Sequence, residues 1–307
     1  MFENFGISNK NYVNVVIGVM IMDLTVLKRF KYRYFTLFFV VSFIVILFIS
    51  LFFQNIQGVS EWVTFLFSLV LLGYVWYQTK KLNITYSENE IKWVMTSSKW
   101  MKYLTITTLL QISSIAISLF LLSFIYLKLE GQLRDLFFFA LTENQVLEAS
   151  WIVYVLFFIN ICVLAPLWEE LFFRGVLLRR FMLKWSAQKS IVISALIFGL
   201  IHINPITIGF AFCFGCLLGY VYVKTKSIVV PMVLHSFNNL LAFIHFVYIN
   251  ESTSQLLQET DIARTEMIVS GIVVVLLTIT LLIILFRNYE HIRGLTSNVE
   301  NADMPLE

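Results

Sequence analysis

Eight apolar windows, each near the length of about 20 residues that a helix needs to cross bilayer hydrocarbon, restrict what this chain can fold into. They lie at 34–53, 59–77, 103–127, 150–168, 190–204, 206–223, 227–249 and 267–286. Of its 307 residues 59% are hydrophobic and 13% charged, whereas soluble domains are about 25% charged. The sequence therefore predicts an all-α, polytopic membrane bundle of about eight transmembrane helices.

The distribution of lysine and arginine predicts the orientation, since cytoplasmic loops are enriched in both residues. The basic segments precede the first window, follow the last one, and lie at 78–102, 179–189 and 224–226. The segments between them, at 54–58, 128–149 and 250–266, are less basic and are predicted to be external. Both termini are thus expected in the cytoplasm. The short apolar stretch at 13–27, which Asp23 interrupts, is predicted to be an interfacial helix.

Three polar clusters lie inside the apolar core region. A Glu or Arg at the centre of a membrane helix costs roughly 2.5–3.5 kcal/mol on insertion scales, so three such residues within one short run indicate chemistry. The clusters are Glu169, Glu170 and Arg174 (E-E-x-x-x-R), then Phe198 and His202 (F-x-x-x-H), then His235 and Asn239 (H-x-x-x-N).

Helical rise predicts that the three clusters lie at a common depth. At about 1.5 Å per residue, Glu169 lies roughly 16 Å, His202 roughly 20 Å and His235 roughly 14 Å from the basic residue that marks the cytoplasmic end of its helix. Asn239 lies about one turn deeper than His235. Three helices are thus predicted to deliver their polar groups to one band near the membrane midplane.

The spacing within the clusters assigns chemistry to single residues. Glu170 and Arg174 are four residues apart and can pair on one helix face, whereas Glu169 is rotated by about 100° and stays free. A poorly solvated carboxylate is a strong base, which suits the activation of water. His202 can position that water or carry its proton.

The remaining cluster residues fit peptide-bond hydrolysis. His235 and Asn239 are again four residues apart and can donate hydrogen bonds to the oxygen charge on a scissile carbonyl. Phe198 lies one turn before His202 and would line the site with apolar surface. Such hydrolysis needs no Ser or Cys nucleophile.

Other interpretations of the same residues stay open. Glu169, His202 and His235 have the residue types of a catalytic zinc site, although the chain has no H-E-x-x-H. Glu170 and Arg174 can also form a purely structural pair, and a histidine in a membrane helix can serve only to bond another helix.

These motifs, in this order on successive apolar segments, resemble the CPBP family of intramembrane proteases (CAAX protease and bacteriocin processing, also called Abi). The resemblance covers 150–249. It implies that Glu169 activates water with His202 as its partner, that His235 and Asn239 stabilise the oxyanion, and that Glu170 and Arg174 organise the site or hold the substrate. Members are often labelled metalloproteases, and a metal-free glutamate mechanism has been proposed for relatives.

The resemblance also implies a domain organisation. Residues 1–149 form a membrane region with the interfacial helix and three spans, and 150–249 form the catalytic core. Residues 250–307 form an external loop, the last span and a cytoplasmic tail. The expected setting is a bacterial plasma membrane, in which the multi-pass protein would act on a membrane-associated peptide or protein.

Three functions are weighed on these grounds. The first is an intramembrane endopeptidase for CAAX tails, bacteriocins or pheromones. The second is a non-catalytic scaffold or bacteriocin-immunity protein, which some relatives are. The third is a proton-coupled transporter that relays protons through buried Glu and His. The sequence argues against a transporter, because it shows no repeated halves of the kind that transporters often have. No basic stripe with interleaved polar residues indicates nucleic-acid binding.

The predicted orientation is testable with reporter fusions. Alkaline phosphatase fused after the C-terminal residue should be inactive in a bacterial host and a fluorescent protein there should fold, because the positive-inside rule places that end in the cytoplasm. Fusion within 250–266 should give the reverse pattern. An active phosphatase at the C-terminus would contradict the predicted orientation.

Overall fold

A computed structural model describes residues 32–53, 58–81, 91, 96–129, 150–202, 205–256, 264–277 and 279–280. The predicted interfacial helix at 13–27 and the predicted cytoplasmic tail lie outside these residues. Within the described part every regular element is helical and no strand occurs, so the predicted all-α class is confirmed.

The helices follow one another along the chain and are numbered here in that order. They are α1 (Tyr32–Phe52), α2 (Val59–Lys81), α3 (Ser97–Lys128), α4 (Trp151–Ile159), α5 (Ala165–Phe172), α6 (Arg179–Met182), α7 (Ala187–Leu200), α8 (Pro205–Thr225), α9 (Val229–Leu256) and α10 (264–277). Two π-helical turns, Asn160–Leu164 and Phe173–Leu178, join α4 to α5 and α5 to α6. The chain is therefore continuously helical from Trp151 to Met182.

Five described helical segments are long and apolar enough to cross a membrane. They are Glu61–Lys81, Lys99–Lys128, Trp151–Met182, Thr207–Thr225 and Val229–Val247, and the shorter apolar helices are Leu37–Ile46 and Ala187–Leu200. The described chain is thus a multi-pass membrane protein. The number eight and the cytoplasmic termini remain predictions.

Three helices end at a different residue from the apolar window that they contain. The window ending at 168 continues as helix to Met182, and the one ending at 249 continues to Leu256. The window ending at 204 stops early, because α7 ends at Leu200. Apolarity marks the part of a helix that can face lipid, whereas a helix ends where its hydrogen-bond ladder ends, so the two boundaries need not agree.

The described helices fall into two compact units. One comprises Met1–Thr108 and Thr142–Ser252, and the other comprises Leu109–Leu141 and Thr253–Glu307. All three polar clusters belong to the first unit. Its core is largely aromatic, and a stacked pair formed by Phe35 of α1 and Phe172 of α5, with ring centroids 3.6 Å apart, lies within it.

Helices α7 and α8 pack closely because glycines line their interface. A Cβ on Gly199 would lie 2.9 Å from the carbonyl oxygen of Ile208, and a Cβ on Gly219 would lie 3.1 Å from a methyl group of Ile191. At Gly215 it would lie 3.1 Å from Ala195. Gly215 and Gly219 are four residues apart, and this G-x-x-x-G spacing is typical of close helix packing in membranes.

Replacing Gly199 by alanine should destabilise the protein, because the new methyl group meets backbone that cannot easily move. The expected loss is about 1–3 kcal/mol, the usual cost of overpacking. Gly209→Ala is the matched control, since a Cβ there meets nothing within 4 Å and alanine favours helix by about 0.5–1 kcal/mol. Thermal unfolding in detergent compares the two, and equal midpoints would disprove the close approach.

Candidate active site

Helix α5 carries both carboxylates of the site and is bracketed by the two π turns. Pro166 lies in its first turn and has no N–H to donate to the residue four positions before it. Just before it, the N–H of Ala165 donates to Asn160, five residues back. A π turn of this kind is frequent at functional sites. Here it changes the direction in which Glu169 and Glu170 project from the helix axis.

Glu170 and Arg174 form the predicted ion pair, with Arg174 Nη1 donating to Glu170 Oε1 at 2.6 Å. Arg174 Nη2 also donates to the backbone oxygen of Gly215 at 3.1 Å. The Arg174 guanidinium lies 4.8 Å from the ring centroid of Phe198. With exposures of 0% and 1%, both charges have exchanged water for these partners.

His235 extends the pair into a three-residue network. Its Nδ1 lies 2.8 Å from Glu170 Oε1, the same oxygen that Arg174 contacts. Since an ionised carboxylate only accepts hydrogen bonds, Nδ1 carries the proton that is donated to Glu170. Nε2 is not used in this bond and is available for other contacts. The ring edges of Phe198 and Phe214 enclose the imidazole, at centroid distances of 5.7 and 5.6 Å.

Glu169 is the carboxylate left over. Its Oε2 is buried and has no hydrogen-bond partner among the described residues, and it lies 3.8 Å from His235 Nε2. His202 also interacts with it electrostatically. The predicted pair of Glu170 with Arg174 is therefore observed, and Glu169 lies beside the His235 imidazole instead of joining that pair.

His202 lies just beyond the end of α7. Its backbone N–H donates to Gly199, three residues back, so it is not available to the carbonyl of Phe198. His202 Nδ1 lies 2.9 Å from that carbonyl oxygen and must donate to it, because a carbonyl only accepts. The ring of His202 is thereby held 5.1 Å from the ring of Phe198, with Nε2 as the unprotonated nitrogen of the neutral form.

Asn239 contacts the first π turn. Its Nδ2 donates to the backbone oxygen of Ile161 at 2.7 Å, and its Oδ1 accepts from Asn238 at 3.4 Å. The spacing predicted that His235 and Asn239 present their side chains together, and His235 is in addition bonded to Glu170 on α5.

The sequence did not indicate several contributors to the site. They are the backbone oxygens of Ile161 and Gly215 and the ring of Phe214. Backbone oxygens carry no residue-specific signal. The available hint was Pro166, because a proline inside a helical pattern frees carbonyl groups one turn earlier.

The geometry also bears on the zinc alternative. A catalytic zinc site needs three protein ligands converging on one point at about 2.0–2.2 Å. Within the described ranges no group of three His, Cys, Asp or Glu side chains can hold a metal ion. As arranged here, Glu169, His202 and His235 therefore do not fit a catalytic zinc ion.

Membrane-crossing helices around a buried carboxylate–imidazole–guanidinium network define a multi-pass membrane protein with a polar site inside the bundle. Residues 150–241 match the family described as Rce1-like, type II CAAX prenyl endopeptidase. The match spans all three motifs, confirms the resemblance to the CPBP family and indicates a CAAX-type protease. No curated protein and no solved structure matches the chain.

Breaking the ion pair should destabilise the fold. Glu170→Gln replaces the carboxylate that Arg174 is paired with by a neutral amide, and a buried charge that loses its paired charge costs about 3–5 kcal/mol. The double variant Glu170→Gln/Arg174→Met should recover part of this loss, since it removes the stranded charge. The thermal midpoints of the wild type, Glu170→Gln and the double variant are compared in detergent. A double variant that is less stable than Glu170→Gln would contradict the pairing.

Proposed function

We propose that this protein is an intramembrane endopeptidase that hydrolyses a peptide bond of a membrane-associated peptide or protein through water activated by Glu169. The observation that carries the proposal is the buried Glu169 Oε2, which has no hydrogen-bond partner in the part of the chain that the structure describes and lies 3.8 Å from His235 Nε2. Burying a carboxylate oxygen without a hydrogen bond is costly, and ionisable residues kept in membrane helices at such a cost are typically functional. The endopeptidase family matched over the same residues supports this assignment.

The chemistry proceeds in two balanced steps. Glu169 takes a proton from water while the water oxygen bonds to the scissile carbonyl carbon, which produces a tetrahedral oxyanion. The C–N bond then breaks, the carbonyl re-forms, and Glu169 returns the proton to the leaving amine. His202 accepts a hydrogen bond from the water through Nε2, because its Nδ1 is engaged with Phe198.

His235 and Asn239 stabilise the oxyanion in this proposal. Donation from His235 Nε2 requires the imidazolium, since Nδ1–H is already given to Glu170. Asn239 contributes its second amide hydrogen. The Arg174 guanidinium holds the Glu170 carboxylate in place, so the pair organises the site without touching the substrate.

We propose residues 150–249 as the catalytic core, with a prenylated CAAX tail as the first substrate class to test. Bacteriocin or pheromone precursors are the second class, and a bacterial plasma membrane is the proposed location. A lipid-modified or membrane-spanning substrate fits a site carried by membrane helices. The side chains around it are apolar rings, Phe198 and Phe214.

Glu169→Gln should abolish cleavage while the protein still folds. Purified protein in detergent is incubated with an internally quenched farnesylated CAAX peptide and with a peptide library. Loss of the general base should lower the rate by about 10²–10⁴-fold. Glu266→Gln, which removes a carboxylate of α10 outside the site, should cleave at the wild-type rate.

Two results would contradict the proposal. Cleavage by Glu169→Gln at the wild-type rate would exclude Glu169 as the base, and inactivity of the wild type on every peptide would favour the scaffold function. Activity should persist after treatment with 1,10-phenanthroline. Its loss, with recovery on adding zinc, would show that Glu169 does not activate water alone.

A further inference from the structure

The carbonyl of Ile161 lacks the backbone donor that a helix normally supplies. In an α-helix its partner would be the N–H of Ala165, but that N–H donates to Asn160. In a π-helix its partner would be the N–H of residue 166, which is a proline and has none. Both possible donors are thus unavailable because of Pro166 and the π turn before it.

The side chain of Asn239 supplies the missing donor, because its Nδ2 donates to the Ile161 carbonyl oxygen at 2.7 Å. A carbonyl can only accept, so the contact fixes which end of the Asn239 amide faces the first π turn. The Oδ1 end faces Asn238, whose Nδ2 donates to it at 3.4 Å. With both ends held, the plane of the amide and the direction of its second N–H are determined.

We propose that Pro166 is a positioning residue for Asn239 and acts through the carbonyl of Ile161. This rests on the proposed function, in which Asn239 donates to the oxyanion. An amide that rotates freely presents N–H and oxygen to the substrate by turns, and its oxygen would repel the developing negative charge. Pro166 prevents the inverted orientation by keeping an acceptor open at one position.

The effect of an alanine at position 166 explains why proline matters there. Its N–H would donate either to the Cys162 carbonyl or to the Ile161 carbonyl. In the first case the α-helical pattern is restored and the Ala165 N–H donates to Ile161, so in both cases the Ile161 carbonyl has a backbone donor. Asn239 would then compete with that donor for the Ile161 carbonyl.

Pro166→Ala should lower kcat about tenfold with little change in KM, because the interaction weakened is one made in the transition state. The thermal midpoint should stay the same or rise, since proline inside a helix is unfavourable. A merely structural role predicts the opposite, with stability and activity falling together. Kinetics on the farnesylated CAAX peptide and thermal unfolding in detergent provide the two readouts.

Pro231→Ala is the matched control. Pro231 lies in the first turn of α9, where an N–H has no acceptor within the helix, so kcat should not change and the midpoint should fall only by the contacts that this buried ring loses. Asn239→Ala should lower kcat about 10²-fold. The double variant Pro166→Ala/Asn239→Ala should equal Asn239→Ala alone, because a residue acting through Asn239 adds nothing once it is gone. Additive losses would overturn the inference.

A spectroscopic readout separates this inference from the proposed function. In protein labelled with [¹⁵N]asparagine, the side-chain NH₂ signals absent from Asn239→Ala belong to Asn239. Pro166→Ala should shift those signals and speed their hydrogen exchange, while Pro231→Ala leaves them unchanged. Unchanged signals in Pro166→Ala would overturn the inference even if Glu169→Gln is inactive. Changed signals in a protein without peptidase activity would uphold the anchoring and reject only the proposed reaction.

Discussion

One carboxylate oxygen, Glu170 Oε1, holds the site together, since it accepts from both Arg174 and His235. Two charges removed from water inside a bundle are costly, and that cost is offset only if each finds several good partners. Arg174 gains a second one in the Gly215 carbonyl and a third in the Phe198 ring. Because these partners belong to α5, α7, α8 and α9, the ion pair ties four helices to one point. It also leaves Glu169 as the carboxylate without such a bond.

Backbone carbonyls orient the remaining side chains. His202 is held by Phe198, at the end of α7, and Asn239 by Ile161, in the first π turn. Both carbonyls lost their helical donors, one because the helix ends and the other because Pro166 follows the turn. In a membrane such groups have no water to turn to and must find protein donors. Irregular backbone and oriented polar side chains therefore satisfy each other, and the same bonds that complete the fold also fix the chemistry of the site.

Local spacing predicted those features that depend on one helix alone. The four-residue separation of Glu170 and Arg174 predicted their ion pair, and the G-x-x-x-G spacing predicted close packing of α8, in which Gly215 and Gly219 meet α7. The helical rise predicted that the clusters reach similar depths. It did not predict that His235 bonds Glu170, because that contact depends on how α5 and α9 are rotated towards each other. The π turns shift this rotation, and a straight-helix count does not include them.

By itself the sequence determined that the chain is helical and crosses a membrane, because apolar segments of this length satisfy their backbone only as helices in hydrocarbon. It also determined which ionisable residues lie among those segments. The tertiary structure alone decided which atoms meet. Glu170 Oε1 contacts both Arg174 and His235, Glu169 Oε2 has no hydrogen-bond partner among the described residues, and each site histidine donates through Nδ1. The physical reason is that hydrogen bonds extend about 3 Å, so helix rotation and crossing, not periodicity along the chain, select each partner.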